Sequence, residues 1–345
     1  MVLKLFEDNE HVTFFPTYGY QQDDGWKIPM RIWVHEPRRF IEAIARLFAD
    51  NVGVTSESDL ENFKSRVADI VADSESREQV VFIFENDPEQ VRFQVRTETG
   101  NQPKSDLNGI IEGFIELSEK RAKSLREAQN TKDGWLTIRA VSDEHSGLGR
   151  IRLIESEGVS VISDIDDTLK ITEIPAGGKI VVRNTFFADF IVAPEMVKRY
   201  TPLQEACFHY VSGAPWQLYL PLSDFIRDAD FPEGSFHMKN VPTNLLSLKT
   251  WKDLLKLAGD ATAEQKYLQI STIMGRFPER RFILVGDSGE HDPEVYRELR
   301  NRFCDQVEDI WIRDVVNARH TSPGRLEGMK IITARTVLPG VSELP

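Results

Sequence analysis

Four short apolar runs recur in the second half of this chain, at 159–163, 207–211, 281–285 and 308–312, each separated from the next by a stretch of helical periodicity. Strands that alternate with helices predict a parallel sheet covered on both faces. In such a sheet, sites lie beyond the carboxyl ends of the strands. An α/β domain is therefore expected over 156–345, with its chemistry at the strand ends.

The first half has a different pattern. "HVTFFPTYGY" and "WKIPMRIWVHE" read as β segments broken by the turn "QQDDG". "PRRFIEAIARLFADNVG" carries Phe40, Ile41, Ile44, Leu47 and Phe48 at helical spacing, and "SESDLENFKSRVADIVAD" adds a second helical stripe with Ser56 or Ser58 as its cap. "QVVFIFEN", "QVRFQVRTETG", "GIIEGFIELS" and "GWLTIRAVS" return to strand patterning, and the alternation of Val91, Phe93 and Val95 marks one buried and one wet face. The expectation for 1–155 is a mostly β, sandwich-like domain carrying a helical insertion. At 345 residues the chain is long enough for both domains.

The bulk charge narrows the function. A net charge of −13 spread over both halves argues against nucleic acid as a partner and gives no general attraction to anionic membranes. Two cysteines, Cys207 and Cys304, are too few for a disulfide framework or a cysteine-based zinc site. "MVLKLFEDNEHVTFFP" has acids where a secretion signal needs apolar residues, and no apolar run approaches the ~18 residues of a spanning helix. A cytoplasmic location is expected.

At the first strand end, "VISDIDDTLKITEI" places Asp164 and Asp166 two residues apart, hence on one side of an extended chain. Two carboxylates converging at a strand end suit a hard cation with oxygen ligands, and Mg2+ is the default. The plainer alternative is a capped turn in which Asp167 or Thr168 satisfies loop amides. At the second, "FHYVSGAPW" puts Ser212 before Gly213, which also reads as a simple turn. At the third, "RFILVGDSGEHDPEVY" puts Asp287 at the strand end and Asp292 five residues on, where acids also favour a helix N-terminus. D-x-D-x-T, then Ser, then G-D-x-x-x-x-D on three successive strand ends is far more specific than any one of them. His209 reads as a core histidine, and the glycines of "PAGGKIVVRN" suggest a β-flap or hairpin beside the site.

This arrangement resembles the haloacid dehalogenase superfamily and, more closely, the actin-patch-associated phosphatidate phosphatase family, through "SDIDDT", "VSGAPW" and "FILVGDSGEHDPEVY" over roughly residues 156 to 320. The resemblance implies that Asp164 is the nucleophile and forms an aspartyl-phosphate. It implies that Asp166 is general acid and then base, that Ser212 binds a phosphoryl oxygen, and that Thr168 supports the loop. Asp164, Asp287 and the backbone carbonyl of Asp166 would hold Mg2+, with Asp292 completing or orienting the shell. A lysine should face the phosphoryl group. Lys266 fits that position, with Lys249 and Lys239 as rivals. Arg313 would reach the phosphate rim or form an ion pair with Asp309 or Asp314, and His291 lies in the acidic loop.

The gaps of 48 residues from Asp164 to Ser212 and 54 from Ser212 to Lys266 leave no room for a large cap domain. A small lid implies an open site that admits bulky substrates. Phosphatidate at a membrane surface is the substrate implied by the resemblance. The alternatives are another bulky or soluble phosphomonoester, or a non-catalytic phospholipid- or phosphoprotein-binding module. "LKTWKDLLKLAG" sets Leu248, Trp251, Leu254 and Leu255 opposite Lys249, Lys252 and Lys256, the pattern of a peripheral membrane helix and equally of a core-packed one. No protein partner is indicated.

Overall fold

The structure is a computed structural model describing residues 10–36, 56–68, 73–131, 133–142, 145–240 and 260–334. The expected helix at 37–53, Lys249 and the amphipathic segment around Trp251 lie outside the described residues.

The first half is built on β1 (Glu10–Phe14), β2 (Thr17–Gln22), β3 (Gly25–Glu36), β4 (Asp73–Ser74), β5 (Phe82–Phe84), β6 (Ile110–Ser118), β7 (Trp135–Ala140), β8 (His145–Ser146) and β9 (Leu148–Leu153). They form a nine-stranded sheet in the order β5-β7-β9-β2-β3-β1-β8, with β4 and β6 also paired to β3. Period-two patterning explains the long central strand: Trp26, Ile28, Met30 and Ile32 alternate inward along β3. Its partner β6 runs antiparallel from Gly25↔Ser118 to Trp33↔Ile110. The stretch 90–100 does not continue the sheet. Phe93 and Arg96 make only isolated bridges. Asp87 draws the chain into a turn there, its carboxylate accepting from the N–H groups of Glu89 and Val91, and Gln90 is left-handed at φ 49.

Between these strands, α1 (Glu57–Ala68) starts where Ser56 accepts from the N–H of Asp59 at 3.4 Å. It docks on the second half of the chain. Phe63 stacks on Phe187 at 4.6 Å, Asn62 donates to the Phe187 carbonyl at 2.9 Å, and the Arg66 guanidinium lies 3.7 Å over the Phe190 ring. A second helix, α2 (Glu119–Ala128), follows β6 and is capped by Ser118.

The second half contains β10 (Val159–Ser163), the short pair β11 (Lys170–Ile171) and β12 (Ile191–Val192), then β13 (Cys207–Pro215), β14 (Gly234–Lys239), β15 (Arg281–Asp287), β16 (Val307–Asp314) and β17 (Lys330–Thr333). All but β11 and β12 form one six-stranded sheet, order β14-β13-β10-β15-β16-β17, whose neighbours are parallel throughout. Helices α3 (Pro194–Tyr200), α4 (Tyr219–Asp228), α5 (Asp260–Arg276) and α6 (Asp292–Arg302) connect these strands. The central strands β10 and β15 are buried along nearly their whole length because both faces are covered. The chain leaves β10 toward β13 and β14 and then returns to build β15 on the other side. Strand order therefore reverses between β10 and β15, the place where α/β sheets hold ligands. The protein is thus mixed α/β, a parallel sheet preceded by a largely β region.

The glycine-rich stretch expected as a β-flap is helical instead. Pro175 opens a 3-10 turn at Ile174–Ala176, and Gly177, at φ 100, redirects the chain into a helical run at Gly178–Val182. The two sheets share their core. Tyr18 of β2 is fully buried among residues of the second half, and Arg276 donates to its hydroxyl at 2.7 Å. Phe15, Trp33 and Phe63 likewise pack with Phe187, Tyr210 and Tyr219.

Candidate active site

The three strand ends picked out in the sequence meet at this reversal. Asp164 immediately follows β10, and its N–H donates to the Val285 carbonyl of β15 at 2.9 Å. Its side chain is 1% exposed, and its Oδ1 lies 2.8 Å from Lys266 Nζ. Lys266, on α5, also touches Asp292 Oδ1 at 2.7 Å and Glu290 Oε2 at 3.1 Å. One buried ammonium is thus shared by three carboxylates. Of the two lysines proposed for the phosphoryl group that lie among the described residues, Lys266 and Lys239, Lys266 is the one seated beside Asp164.

Asp287 ends β15, fully buried. Its Oδ1 accepts from the N–H groups of Gly289 at 2.5 Å and Glu290 at 3.2 Å. Asp292 is used on both oxygens, one held by Lys266 and the other accepting from the Asp287 N–H at 3.2 Å. Gly286 permits this approach, since a Cβ there would stand 2.7 Å from the Asp292 Cβ. Asp292 therefore orients its neighbours. Glu290, which the spacing argument passed over, instead joins Asp164 and Asp287 in a set whose ligand oxygens all lie within 4.8 Å of one another.

Two oxygens in this group, Asp164 Oδ2 and Asp287 Oδ2, are buried with no hydrogen-bond partner among the described residues. Unpaired buried carboxylate oxygens are costly. Burial above all, with Asp292 and Glu290 adding repulsion and Lys266 opposing, pushes the Asp164 carboxyl well above the usual range. Asp287 is raised well above it for the same reasons. The donor set is all oxygen and over-supplied with negative charge, which fits a hard divalent cation such as Mg2+.

Asp166 sits in a contrasting environment. Its Oδ1 is held by Lys170 Nζ at 2.8 Å and by the Thr172 hydroxyl at 2.7 Å, while Oδ2 faces Ser212 Oγ at 3.4 Å. Burial would raise its pKa, but the Lys170 charge and these hydrogen bonds outweigh it and hold the carboxyl below its usual value. Lys170 is itself fully buried. The only sequence signal for it was the i,i+4 spacing from Asp166, which carries little weight outside a helix.

The other residues singled out in the sequence have varied surroundings. Asp167 is left-handed at φ 53, and its carboxylate accepts from the N–H groups of Thr172, Glu173 and Ile174 at 2.6–2.8 Å. It therefore makes the capped turn that is the plainer reading of this stretch, alongside the Asp164–Asp166 pair. Thr168 is fully buried, and its hydroxyl has no hydrogen-bond partner among the described residues. Ser212 Oγ also accepts from the Ala214 N–H at 3.0 Å, which points its hydroxyl toward Asp166. Arg313 pairs with Glu195 at 2.6 Å and donates to the Asp167 carbonyl at 2.9 Å, so it is a structural brace and pairs with neither Asp309 nor Asp314. His209 is a core residue whose Nδ1 lies 2.8 Å from Ser235 Oγ. His291 precedes α6 at its N-terminus. Among the described residues no helix is long and apolar enough to cross a membrane.

A Saccharomyces cerevisiae protein described as phosphatidate phosphatase APP1 is 33% identical over 239 residues, covering 65% of this chain and 39% of the yeast protein. A Schizosaccharomyces pombe protein, described as uncharacterized protein C29B5.04c, is 29% identical over 175 residues, covering 49% of this chain and 27% of its own length. The chain thus spans well under half the length of either relative. The family model described as "Phosphatidate phosphatase APP1, catalytic domain" matches residues 159–314, a span that runs from the first residue of β10 to the last of β16 and holds every acid and lysine of the site. The part of the chain that is similar to the phosphatidate phosphatase APP1 catalytic domain is thus the parallel sheet with its strand-end carboxylates.

Proposed function

We propose that this protein is a Mg2+-dependent phosphatase of haloacid dehalogenase type, that residues 156–345 form its catalytic domain, and that its substrate is phosphatidate. One observation carries the reading. Asp164, buried at the strand reversal, has one oxygen on Lys266 and one with no partner among the described residues, while Asp166, two residues on, is held with its second oxygen toward Ser212. A nucleophile and a proton carrier are thereby set side by side on one short segment.

Asp164, Asp287 and Glu290 would hold the cation, which when bound offsets the repulsion between the carboxylates and an incoming phosphate. Asp164 Oδ2 attacks phosphorus, forming an acyl-phosphate bond as the bond to the ester oxygen breaks. Asp166 Oδ2 delivers its proton to that departing oxygen. In the second half, Asp166 accepts a proton from water, and the hydroxide attacks phosphorus to release phosphate and regenerate the Asp164 carboxylate. Lys170 favours the basic form of Asp166 used in that second half. Arrival of a phosphate dianion beside Asp166 works in the opposite direction and helps to load the proton needed for the first. Lys266 and Ser212 meet the charge on the phosphoryl oxygens.

Phosphate release from phosphatidate in mixed micelles and from a soluble aryl phosphate, with and without Mg2+, tests the reading. Mg2+-dependent release from phosphatidate, lost in Asp164→Asn, is expected. Release from the aryl ester alone would discard the lipid substrate. Release from neither, with retained phosphate-ester binding, would favour a binding module.

A further inference from the structure

A cavity of about 210 Å³ lies at the seam between the two sheets, beside the phosphoryl site and unused by the chemistry above. Phe15, Arg31 and Trp33 line it from the first sheet, and Trp216, Gln217 and Lys239 from the second. The Arg31 guanidinium spans the seam, lying 4.7 Å over the Trp216 ring and pairing with Glu112, while Phe15 packs on Trp216 at 4.5 Å.

Its position relative to the catalytic groups is set by strand register. Lys239 ends β14 opposite Pro215, and Pro215 is three residues past Ser212, at most about 10 Å of extended chain. Lys239 Nζ donates to Thr262 Oγ1 at 3.0 Å, and Thr262 stands one helical turn before Lys266 on α5. The cavity therefore neighbours Ser212 and Lys266, the groups that would hold a phosphoryl oxygen.

Lys239 is the feature that calls for a ligand. Of the three buried lysines among the described residues, Lys266 and Lys170 are ion-paired with carboxylates, whereas Lys239 has no carboxylate within ion-pair distance among those residues. It is 9% exposed, and an ammonium has three donors, of which Thr262 takes one. The acids on the cavity wall are otherwise engaged: Glu112 by Arg31, and Asp106 by the N–H groups of Asn108 and Ile110. The wall as a whole carries two positive and two negative side chains, so a further anion is not required. What Lys239 lacks is a neutral acceptor, and the aromatic side chains around it suit hydrocarbon.

We infer that this cavity receives the leaving group of the substrate, and that the group is an uncharged, carbonyl-bearing glyceride. Lys239, with the amide of Gln217, donates to its ester oxygens, and Phe15, Trp33 and Trp216 cover its first methylenes. The first sheet is then part of the substrate site, which gives it a role in specificity. This inference rests on the phosphatase reading, and the test separates the two.

Turnover of a short-chain diacylglycerol phosphate, below its micelle threshold, is compared with that of an aryl phosphate in wild type, Lys239→Met and Trp216→Leu. The ratio of kcat/KM for the lipid to that for the aryl ester is expected to fall about tenfold or more in each variant, chiefly through KM for the lipid. An equal loss on both esters, or no loss on either, overturns the inference. A titration with dioctanoylglycerol, read by tryptophan fluorescence, decides the cavity without turnover. Saturable quenching weakened about tenfold in Lys239→Met supports it even if neither ester is hydrolysed, an outcome that would refute the phosphatase reading alone. Absence of saturable quenching, or equal quenching in Lys239→Met, overturns it.

Discussion

The two carboxylates that open the site lie two residues apart, yet their surroundings are electrostatic opposites. Around Asp164, the side chains of Asp287, Glu290 and Asp292 add three more acids, and among the described residues Lys266 is the one ammonium that pairs with this group. Around Asp166, one carboxylate meets one ammonium, Lys170, and the Thr172 hydroxyl completes the oxygen it touches. The first region is left with orphaned oxygens and raised carboxyl pKa values, and the second is balanced internally with a lowered one. On the mechanism proposed above, a fold that keeps both arrangements on one loop would separate a cation-holding site from a proton carrier. Environments that push two acids apart in this way are how one sequence segment performs two roles.

The contrast is most exposed to substitution at its reactive atoms. Asp164→Asn should reduce turnover by about a thousandfold or more if Asp164 is the nucleophile proposed above. Asp166→Asn should cost about 10²–10⁴ in kcat, the usual worth of a positioned acid and base, with little change in Mg2+ affinity. Steady-state kinetics with parallel metal titrations checks both, and equal losses of metal binding would erase the distinction between the two regions.

Removing the cations sharpens it further. Lys266→Met leaves the buried Asp164 and Asp292 and the partly buried Glu290 without their partner and should destabilise the fold by about 3–5 kcal/mol in the absence of metal. Lys170→Met strips one partner from a carboxylate that keeps Thr172 and Ser212, so chemical denaturation should show a smaller loss. In kinetics, Lys170→Met should move the acidic limb of the pH–rate profile upward, because the charge that lowers the Asp166 pKa is gone.

A smaller effect arises at the seam between the sheets. Burial, with Arg276 adding repulsion, lowers His237 to about 3, and burial lowers His209 well below its usual value; Tyr18 packs against both. These side chains fold as neutral rings. Unfolding lets them take up protons at any pH below their ordinary value near 6.5, so stability is full above that pH and declines as pH falls toward 3. Thermal melts across this window should show the decline, and His237→Gln should flatten it.

How much of this the sequence could announce depended on whether a residue's role was set locally. Asp164, Ser212 and Asp287 stood out because an apolar strand ending in a polar residue is visible in one dimension. Lys266 required the resemblance, since a lysine on a helix looks the same whether it faces water or a carboxylate. Lys170 and Glu290 were missed because their partners are fixed by loop geometry: Asp167 must turn left-handed to bring Lys170 back onto Asp166, and the turn at 287–290 folds Glu290 toward Asp164. The β-flap expected from "PAGGKIVVRN" became helix, as glycine and proline mark a change of direction without specifying the next element of structure. The shared core of the two sheets, through Tyr18, Phe15 and Trp33, was beyond any pattern in the sequence.

The most direct test of the contrast is the thermal stability of the substrate-free protein as Mg2+ is added, in wild type, Asp287→Asn and Lys170→Met. A cation that fills the Asp164–Asp287–Glu290 group binds only the folded chain and must stabilise it. The account predicts that Mg2+ raises the melting temperature of wild type and of Lys170→Met, and that Asp287→Asn loses the effect. No shift in wild type, or an equal shift in Asp287→Asn, would contradict it.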